Sequence, residues 1–472
     1  MKCLLVICCL LCGAQAWLGG LRMMYRPKTL PVDERGPPVG DALFLTPYIR
    51  QGRLEEARNL SRVGPIGTDP ELESYSGFFT VKELYHNNLF FWFFPAKEEP
   101  STAPVILWLQ GGPGGSSLFG LFVEHGPYRV TAAGNAQLRN LTWARQFSML
   151  YVDNPVGAGF SFTEDDAGYA RNQTDVANDL YEALQQFFTL FPEYKKNDFY
   201  ASGESYAGKY VPAIAYKIHT EGIKESGINL RGIAIGDGMC DPETMFDYAD
   251  FLYQVGLVDR NQASFIRRES ERARDLIRQK RFMEAFYIFD KLLNGDETNS
   301  SSYFQNVTGL NFYYNFLLAQ SPPEFDFYHT FVQAPRIRKS IHVGDLPFND
   351  GSKCEAHLLD DMMRSVKPWV GTLMDHYKVL IYNGQLDIII AYPLTENFVS
   401  TISWHGAHEY AHAPRKIWRL PSKENDVAGY VKRVGKFFQV LVRNSGHILP
   451  YDQPESAFDL ITRFVRDLPF DE

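Results

Sequence analysis

The sequence Asp198-Phe-Tyr-Ala-Ser-Gly-Glu-Ser-Tyr-Ala-Gly208 joins a β-rich run to a helical segment through a tight turn. A strand, turn and helix of this kind is the context in which a nucleophilic serine is presented at the end of a strand. Small residues must flank Ser205 because the strained turn brings neighbouring Cβ atoms close together, and Gly203 and Ala207 are small. Alone, the pattern Gly-x-Ser-x-Ala is common by chance and also fits an ordinary serine-capped helix start. A nucleophilic Ser205 therefore needs partners elsewhere in the chain.

Two further residues lie where the partners of a catalytic serine are expected. Asp387 follows the predicted strand 378–382, and His447 follows the predicted strand 437–442. In the α/β-hydrolase topology the chain order is serine, acid, histidine, with the histidine as general base and the acid orienting it. Alone, Asp387 is equally well explained as a turn-forming aspartate and His447 as a solvated loop histidine. Because all three residues follow strands in the required order, we predict the catalytic triad Ser205, Asp387 and His447.

Strand patterns and helix patterns alternate along most of the chain, which predicts an α/β fold. The predicted strands are 78–81, 89–94, 105–109, 148–152, 198–202, 230–235, 378–382 and 437–442, and the clearest helices are 174–191, 207–219 and 454–465. Between residues 241 and 369 charged helical sequence replaces the alternation. We therefore expect an α/β-hydrolase fold with a central, mostly parallel sheet and an inserted, mostly helical cap. The expected divisions are a signal peptide at 1–16, core at 17–240, cap at 241–369 and core at 370–472.

A glycine-rich run, Gly111-Gly-Pro-Gly-Gly115, directly follows the predicted strand 105–109. Acyl transfer needs backbone N–H groups aimed at the developing oxyanion, and glycines allow the backbone to approach a substrate closely. Tyr206, immediately after the proposed nucleophile, would supply a second N–H. The alternatives are a flexible turn or a phosphate-binding loop, but the run lacks the Lys-Ser/Thr ending of the latter.

Composition excludes several classes of function. The 472 residues carry a formal net charge of -9, which disfavours the clustered positive charge of a nucleic-acid partner. Outside the predicted signal peptide only Cys240 and Cys354 remain, with no cysteine or histidine pairing typical of zinc, so we predict no metal and no cofactor. A disulfide between these two cysteines and two buried free thiols remain equally open.

The N-terminus predicts entry into the secretory pathway. A short apolar run from Cys3 to Cys12 precedes Ala14-Gln15-Ala16, which has the form of a signal-peptidase site. The run is about half of the ~20 residues that a bilayer span needs, so we expect no membrane span after signal removal. Secretion or endolysosomal delivery follows, since the C-terminus carries no retrieval signal. We expect glycosylation at some of the five sequons, although any one arises easily by chance: Asn59, Asn140, Asn172, Asn299 and Asn306.

Several motifs in order closely resemble the serine carboxypeptidase family, and within it the vitellogenic-like carboxypeptidases. They are Trp108-Leu-Gln-Gly-Gly-Pro-Gly-Gly-Ser-Ser117, Glu124-His-Gly-Pro127, Asp153-Asn-Pro-Val-Gly-Ala-Gly-Phe-Ser161, Gly203-Glu-Ser-Tyr-Ala-Gly208, Asn383-Gly-Gln-Leu-Asp387 and Gly446-His447. The likeness extends from about Leu45 to the C-terminus. It implies removal of C-terminal amino acids from peptides through an acyl-enzyme on Ser205, with His447 as base and Asp387 as orienting acid.

The same resemblance implies further site residues. The oxyanion donors would be the backbones of Gly112 and Tyr206. The free carboxylate of a peptide substrate would be bound by Gln110, Gly111 and Glu204, with Glu124 paired to Glu204. Two adjacent carboxyls cannot easily both ionise, so one should hold a proton and donate to the substrate, which favours acidic pH.

Two departures from the family pattern stand out. Gln110 replaces the usual asparagine, and Gly115 replaces a cysteine whose partner position in the family corresponds to Cys354, so that bridge cannot form here. Two alternatives to a carboxypeptidase remain, an acyltransferase or esterase with the same triad, and a secreted binding protein that has lost activity. The intact triad residues argue against the second alternative, and Glu124 and Glu204 argue against the first.

Overall fold

The computed structural model describes residues 36–67, 72–298, 300–423 and 425–470. The predicted signal peptide and the sequon residue Asn299 lie outside these ranges. Within them, a ten-stranded sheet forms the centre of the molecule, in the order β1-β2-β6-β3-β8-β9-β11-β14-β13-β12. The strands are β1 Tyr75–Lys82, β2 Asn87–Phe94, β3 Val105–Leu109, β4 Tyr128–Val130, β5 Ala136–Leu138, β6 Ser148–Val152, β7 Ala158–Gly159, β8 Phe199–Glu204, β9 Leu230–Gly236, β10 Asn349–Asp350, β11 Lys378–Gly384, β12 Lys416–Trp418, β13 Gly429–Val434 and β14 Phe437–Val442.

The middle six strands, from β6 to β14 in the sheet order, run parallel to one another. All residues of β3, β6, β8, β11 and β14 are buried, because helices cover both faces of a parallel sheet. Antiparallel strands extend the sheet on both sides. The predicted mostly parallel sheet is confirmed. The carboxyl ends of its parallel strands meet at one edge, where loops from distant parts of the sequence come together.

Helices connect the strands along the chain and pack on the sheet. They are α1 Thr46–Arg50, α2 Leu54–Leu60, α3 Gln173–Leu190, α4 Ala207–Ser226, α5 Ala249–Gln254, α6 Arg260–Arg278, α7 Phe282–Phe289, α8 Tyr303–Thr308, α9 Phe327–Gln333, α10 Pro335–Ser340, α11 Ser352–Met362, α12 Lys367–His376, α13 Tyr392–Ser400, α14 Ala407–His412, α15 Leu449–Asp452 and α16 Pro454–Arg466. Helix α3 begins where the Asn172 side chain accepts hydrogen bonds from Thr174 N and Asp175 N, and such a cap satisfies backbone donors that a helix start leaves free. Helix α4 packs against α3 and against β8 and β9.

The chain between β9 and β11 is mostly helical and contains α5 to α12. Its own apolar side chains, including Phe286 and Phe289 of α7, join the main hydrophobic core. The predicted helical insertion is therefore present, while its limits at residues 241 and 369 stay a prediction. The sequence patterns did not predict the following strands, which are short or carry exposed or polar residues: β4, β5, β7, β10, β12 and β13.

Candidate active site

Ser205 lies in a sharp turn between the end of β8 at Glu204 and the start of α4 at Ala207. Its φ is +62°, in the left-handed region that residues with a Cβ rarely adopt. The Ser205 N–H donates to Gly236 O at 3.0 Å, and the Ser205 carbonyl accepts from Met239 N at 2.9 Å. These bonds hold the strained turn, and Ser205 lines a cleft at the carboxyl edge of the sheet.

Glycines make room for this turn. A Cβ on Gly203 would lie 2.3 Å from Leu109 O and 2.8 Å from Ala207 Cβ. A Cβ on Gly111 would lie 2.7 Å from Ser205 Cβ. Real Cβ atoms do not approach so closely, so the turn excludes side chains at both glycines. The need for a small residue at position 203 is confirmed.

His447 and Asp387 meet at the same edge of the sheet, after β14 and β11. His447 Nδ1 lies 2.7 Å from Asp387 Oδ2, and both residues are fully buried. Burial lowers the pKa of His447, but the charge of Asp387 and the hydrogen bond to it outweigh burial and raise the pKa above its ordinary value of 6.5. His447 Nε2 has no hydrogen-bond partner within the described ranges. The imidazole is thus oriented by Asp387, and its second nitrogen is left for proton transfer.

The face of the His447 ring packs against Tyr314, a residue of the helical insertion. The two rings stack with centroids 4.4 Å apart, and His447 N donates to Tyr314 O at 2.6 Å. This contact could not be predicted from sequence patterns, because it joins two segments that are far apart in the chain.

The glycine-rich run follows β3 and turns beside Ser205. Gly112 has a φ of +119°, a conformation that favours glycine. Gly112 and Tyr206 line the cleft together with Ser205. Among the described residues neither of their backbone N–H groups has a protein acceptor. Both donors are therefore available to an oxygen atom bound near the serine.

The side chain of Tyr206 is anchored to the insertion. Tyr206 Oη donates to Asp361 Oδ2 at 2.6 Å, and Gln173 Nε2 donates to the same oxygen at 2.6 Å. Lys209, fully buried one turn further along α4, donates to the carbonyl of Asp361 at 2.6 Å. Burial lowers the pKa of Lys209 to about 8, although the charge of Asp361 opposes the shift. The sequence reasoning missed this network, which holds the side chain of the residue that follows Ser205.

Three predicted binding residues form a second buried cluster. Gln110 Nε2 donates to Glu204 Oε1 at 2.7 Å, while Gln110 Oε1 accepts from Trp108 Nε1 at 2.9 Å. Glu124 ends a π-helical turn, Gly120–Glu124, and is 1% exposed. Burial raises the pKa of Glu124 well above 4.5, and the charge of Glu204 and hydrogen bonding with it raise the pKa further. The two carboxyls therefore share a proton.

Asp237 is a further buried acid in the site that the sequence reasoning missed. It follows β9 directly and is fully buried, and one of its carboxylate oxygens lies within 4.8 Å of ligand-type atoms of Asp387 and His447. The available signal was its position, since an acid immediately after a predicted parallel strand lies at the same edge as the triad. A second group of acids, Asp296, Glu297 and Glu355, lies in the insertion.

The cleft at Ser205 encloses about 380 Å³ including its mouth. Its wall on the core side carries Met239, Ile389 and Ile390. The insertion supplies Phe289, Asn294, Tyr313, Tyr314 and Met362. Apart from the serine and the backbone donors, the surface that a substrate side chain meets is therefore largely apolar and aromatic.

The remaining predicted features are placed as follows. Asn59, Asn140, Asn172 and Asn306 are exposed. Cys240 and Cys354 are buried free thiols, so no disulfide joins them. Over the ranges that the structure covers, no helix combines the length and apolar character needed to cross a bilayer.

Comparison with known proteins agrees with this geometry. Residues 65–467 match the family described as serine carboxypeptidase. Probable serine carboxypeptidase CPVL of Homo sapiens is 53% identical over 452 residues, 95% of this chain and 94% of that protein. Vitellogenic carboxypeptidase of Aedes aegypti is 42% identical over 467 residues, 98% of this chain and 97% of that protein. The crystal structure of Kex1(Δ)p, a prohormone-processing carboxypeptidase from Saccharomyces cerevisiae, covers 86% of this chain and 95% of its own, with a TM-score of 0.71 and 23% identity, and so has the same fold.

Proposed function

The chain belongs to the serine carboxypeptidase family, and we propose that it releases the C-terminal amino acid of peptides through an acyl-enzyme on Ser205. The observation that carries the proposal is the position of a proton-sharing carboxyl pair, Glu124 and Glu204, immediately beside the nucleophile turn. A triad alone fits any serine hydrolase, whereas a buried acid pair able to donate to an anion fits a substrate with a free carboxylate.

In the proposed reaction His447 Nε2 accepts the proton of Ser205 Oγ as that oxygen attacks the scissile carbonyl carbon. The negative charge that develops on the carbonyl oxygen is stabilised by the backbone N–H groups of Gly112 and Tyr206. His447 then gives its proton to the leaving amine, which departs as the free amino acid. A water molecule, deprotonated by the same nitrogen, attacks the ester carbon and restores Ser205. Asp387 stabilises the imidazolium that forms in each half of the cycle.

Recognition of the substrate carboxylate would involve Gln110, Gly111 and the carboxyl pair. The amide of Gln110 fixes Glu204, and the shared proton allows the pair to donate a hydrogen bond to an anion. When that proton is lost at higher pH, the pair repels the substrate carboxylate, so KM should rise with pH while acylation persists. The apolar cleft wall favours peptides with an apolar residue next to the scissile bond.

We also propose that the protein works in the secretory pathway, as a secreted or endolysosomal enzyme. The predicted signal peptide and the exposed sequons at Asn59, Asn140, Asn172 and Asn306 support this location. The helical segment 241–369 would act as a cap on the core domain, since it supplies one wall of the cleft at Ser205. An acidic compartment would match the pH dependence expected of the carboxyl pair.

The experiment is release of the C-terminal amino acid from an N-blocked dipeptide at about pH 5. The purified protein is compared with Ser205→Ala and with a matched control, Ser202→Ala, which alters a buried serine of the same strand. We expect release by the wild type and by Ser202→Ala, and none by Ser205→Ala.

No release by any of the three proteins, across a panel of blocked peptides, would contradict the proposal. Labelling with a fluorophosphonate would then separate the alternatives. A labelled Ser205 would indicate an esterase or acyltransferase, and an unlabelled protein would indicate a binding function.

A further inference from the structure

Asp237 links the end of β9 to the end of β11 at the carboxyl edge of the sheet. It follows β9, which lies between β8 with the nucleophile turn and β11 with the Asp387 loop. Its φ is +42°, an uncommon conformation for a residue with a Cβ, and its N–H donates to Tyr382 O at 2.8 Å. The conformation turns the backbone away from the strand and places the carboxyl in the interior, where it is fully buried.

One oxygen of Asp237 is satisfied by the loop after β11. Asp237 Oδ1 accepts from Gly384 N at 2.9 Å and from Asn383 Nδ2 at 3.3 Å. The second oxygen, Asp237 Oδ2, is buried, and no donor among the described residues reaches it. Asp387 Oδ1 is also buried, and no donor among these residues reaches it either. Two buried oxygens with unmet hydrogen-bonding capacity thus belong to carboxyls whose atoms lie within 4.8 Å of each other.

One proton between these oxygens satisfies both. Two buried carboxylates this close together cannot both carry a charge, so the pair keeps one proton at pH values well above the ordinary pKa range of a carboxyl group. Burial and the charge of Asp387 raise the pKa of Asp237 well above 3.8, and the charge of Glu204 adds to the shift. Tyr382, whose carbonyl accepts from Asp237 N, has a neutral phenol because burial raises its pKa well above 10. Of the two carboxyls, Asp387 is the one that faces His447, with its Oδ2 2.7 Å from His447 Nδ1.

We propose that Asp237 is a positioning residue of the triad: its protonated Oδ2 donates a hydrogen bond to Asp387 Oδ1 and holds Asp387 Oδ2 against His447 Nδ1. The inference rests on the proposed roles of Ser205, Asp387 and His447. It predicts that a neutral donor is what this position requires. An amide can replace the acid, and an apolar side chain of similar size cannot.

The test compares Asp237→Asn with Asp237→Leu. The readouts are the pH dependence of Ser205 labelling by a fluorophosphonate, and kcat and KM on a blocked dipeptide. We expect Asp237→Asn to label at nearly the wild-type rate, with the acid limb of the pH profile unmoved. Asp237→Leu should lose roughly 10–100-fold in labelling rate and kcat with KM unchanged, because Asp387 Oδ1 is left without a donor. Its acid limb should shift to lower pH, since His447 loses part of the support of Asp387.

The control is Asp179→Leu, which removes a buried acid of α3 that accepts from Asn87. This change should lower thermal stability without moving the acid limb. If Asp237→Leu does not fold, Asp237→Asn alone still decides the question. If Asp237 were ionised, Asp237→Asn would remove a negative charge beside His447 and would shift the acid limb of the pH profile to lower pH by about one unit. That shift would overturn the proposal. Wild-type behaviour of Asp237→Leu overturns it as well. Normal labelling without release of amino acids would contradict the carboxypeptidase proposal and leave this one intact.

Discussion

Two buried carboxyl pairs flank Ser205, and they differ in what stands beside them. Asp237 and Asp387 lie next to a histidine that can become a cation, whereas Glu124 and Glu204 lie next to the neutral amide of Gln110. Burial and mutual repulsion raise the pKa of one acid in each pair, so each pair holds a proton. The partner then decides the role. In the proposed mechanism, the pair beside His447 supports proton transfer, and the pair beside Gln110 donates a hydrogen bond to an anionic substrate.

If this distinction is right, substitutions in the first pair should act on kcat. Asp387→Asn should lower kcat by about 10⁴-fold with little change in KM, because the amide favours the wrong tautomer of His447. Steady-state kinetics on a blocked dipeptide measure both constants. Asp179→Asn, a matched change of a buried acid on α3, should leave both unchanged. A loss confined to KM would break the assignment of this pair to the chemical step.

The placement of the three predicted triad residues at one edge of the sheet could be anticipated from the sequence, because each of them follows a recognisable apolar strand. Parallel strands bring their carboxyl ends together, so strand patterns at 198–202, 378–382 and 437–442 place Ser205, Asp387 and His447 at one edge. The nucleophile turn could be predicted for the same local reason, since its small residues are adjacent in the chain.

The contacts around the triad could not be predicted, because they depend on spatial neighbours. Asp237 and Asp387 come together because β9 lies beside β11 in the sheet. The order of strands in a sheet cannot be determined from one sequence alone. The cleft wall from the insertion could not be predicted for the same reason. Tyr314 contacts His447 and Tyr313 lines the cleft, and both come from a segment without strand periodicity. The short β12 and β13 were missed because exposed polar residues interrupt their alternation.

Substitutions in the second pair should act on KM. Glu204→Ala should raise KM by roughly 10–100-fold at about pH 5, because a charge-assisted hydrogen bond to the substrate carboxylate is lost. Glu204→Gln should keep KM nearly constant from about pH 5 to about pH 8, since an amide donates at any pH. Over the same interval the KM of the wild type should climb as the pair loses its proton.

The control for this second prediction is chemical. A blocked dipeptide amide has no C-terminal carboxylate, so its KM should not depend on pH in either protein. If the KM of the wild type for the free acid stayed constant across this pH range, Glu124 and Glu204 would have no part in substrate recognition and would be a structural feature only.

The smallest effect expected is on stability, and it tests whether both pairs hold a proton in the folded state. A carboxyl whose pKa is raised in the folded protein stabilises below its unfolded pKa and loses that contribution as pH rises through the folded pKa. For Glu124 the loss begins near its ordinary value of 4.5 and continues upward. The free energy of unfolding of the wild type, minus that of Glu124→Gln, should therefore fall by up to about 1.4 kcal/mol per pH unit. Denaturant unfolding at several pH values measures this difference, with the exposed Glu164→Gln as control. The difference in free energy of unfolding between the wild type and Asp237→Asn should fall with pH at the same slope. If this difference did not change with pH for one of the two pairs, that pair would not share a proton.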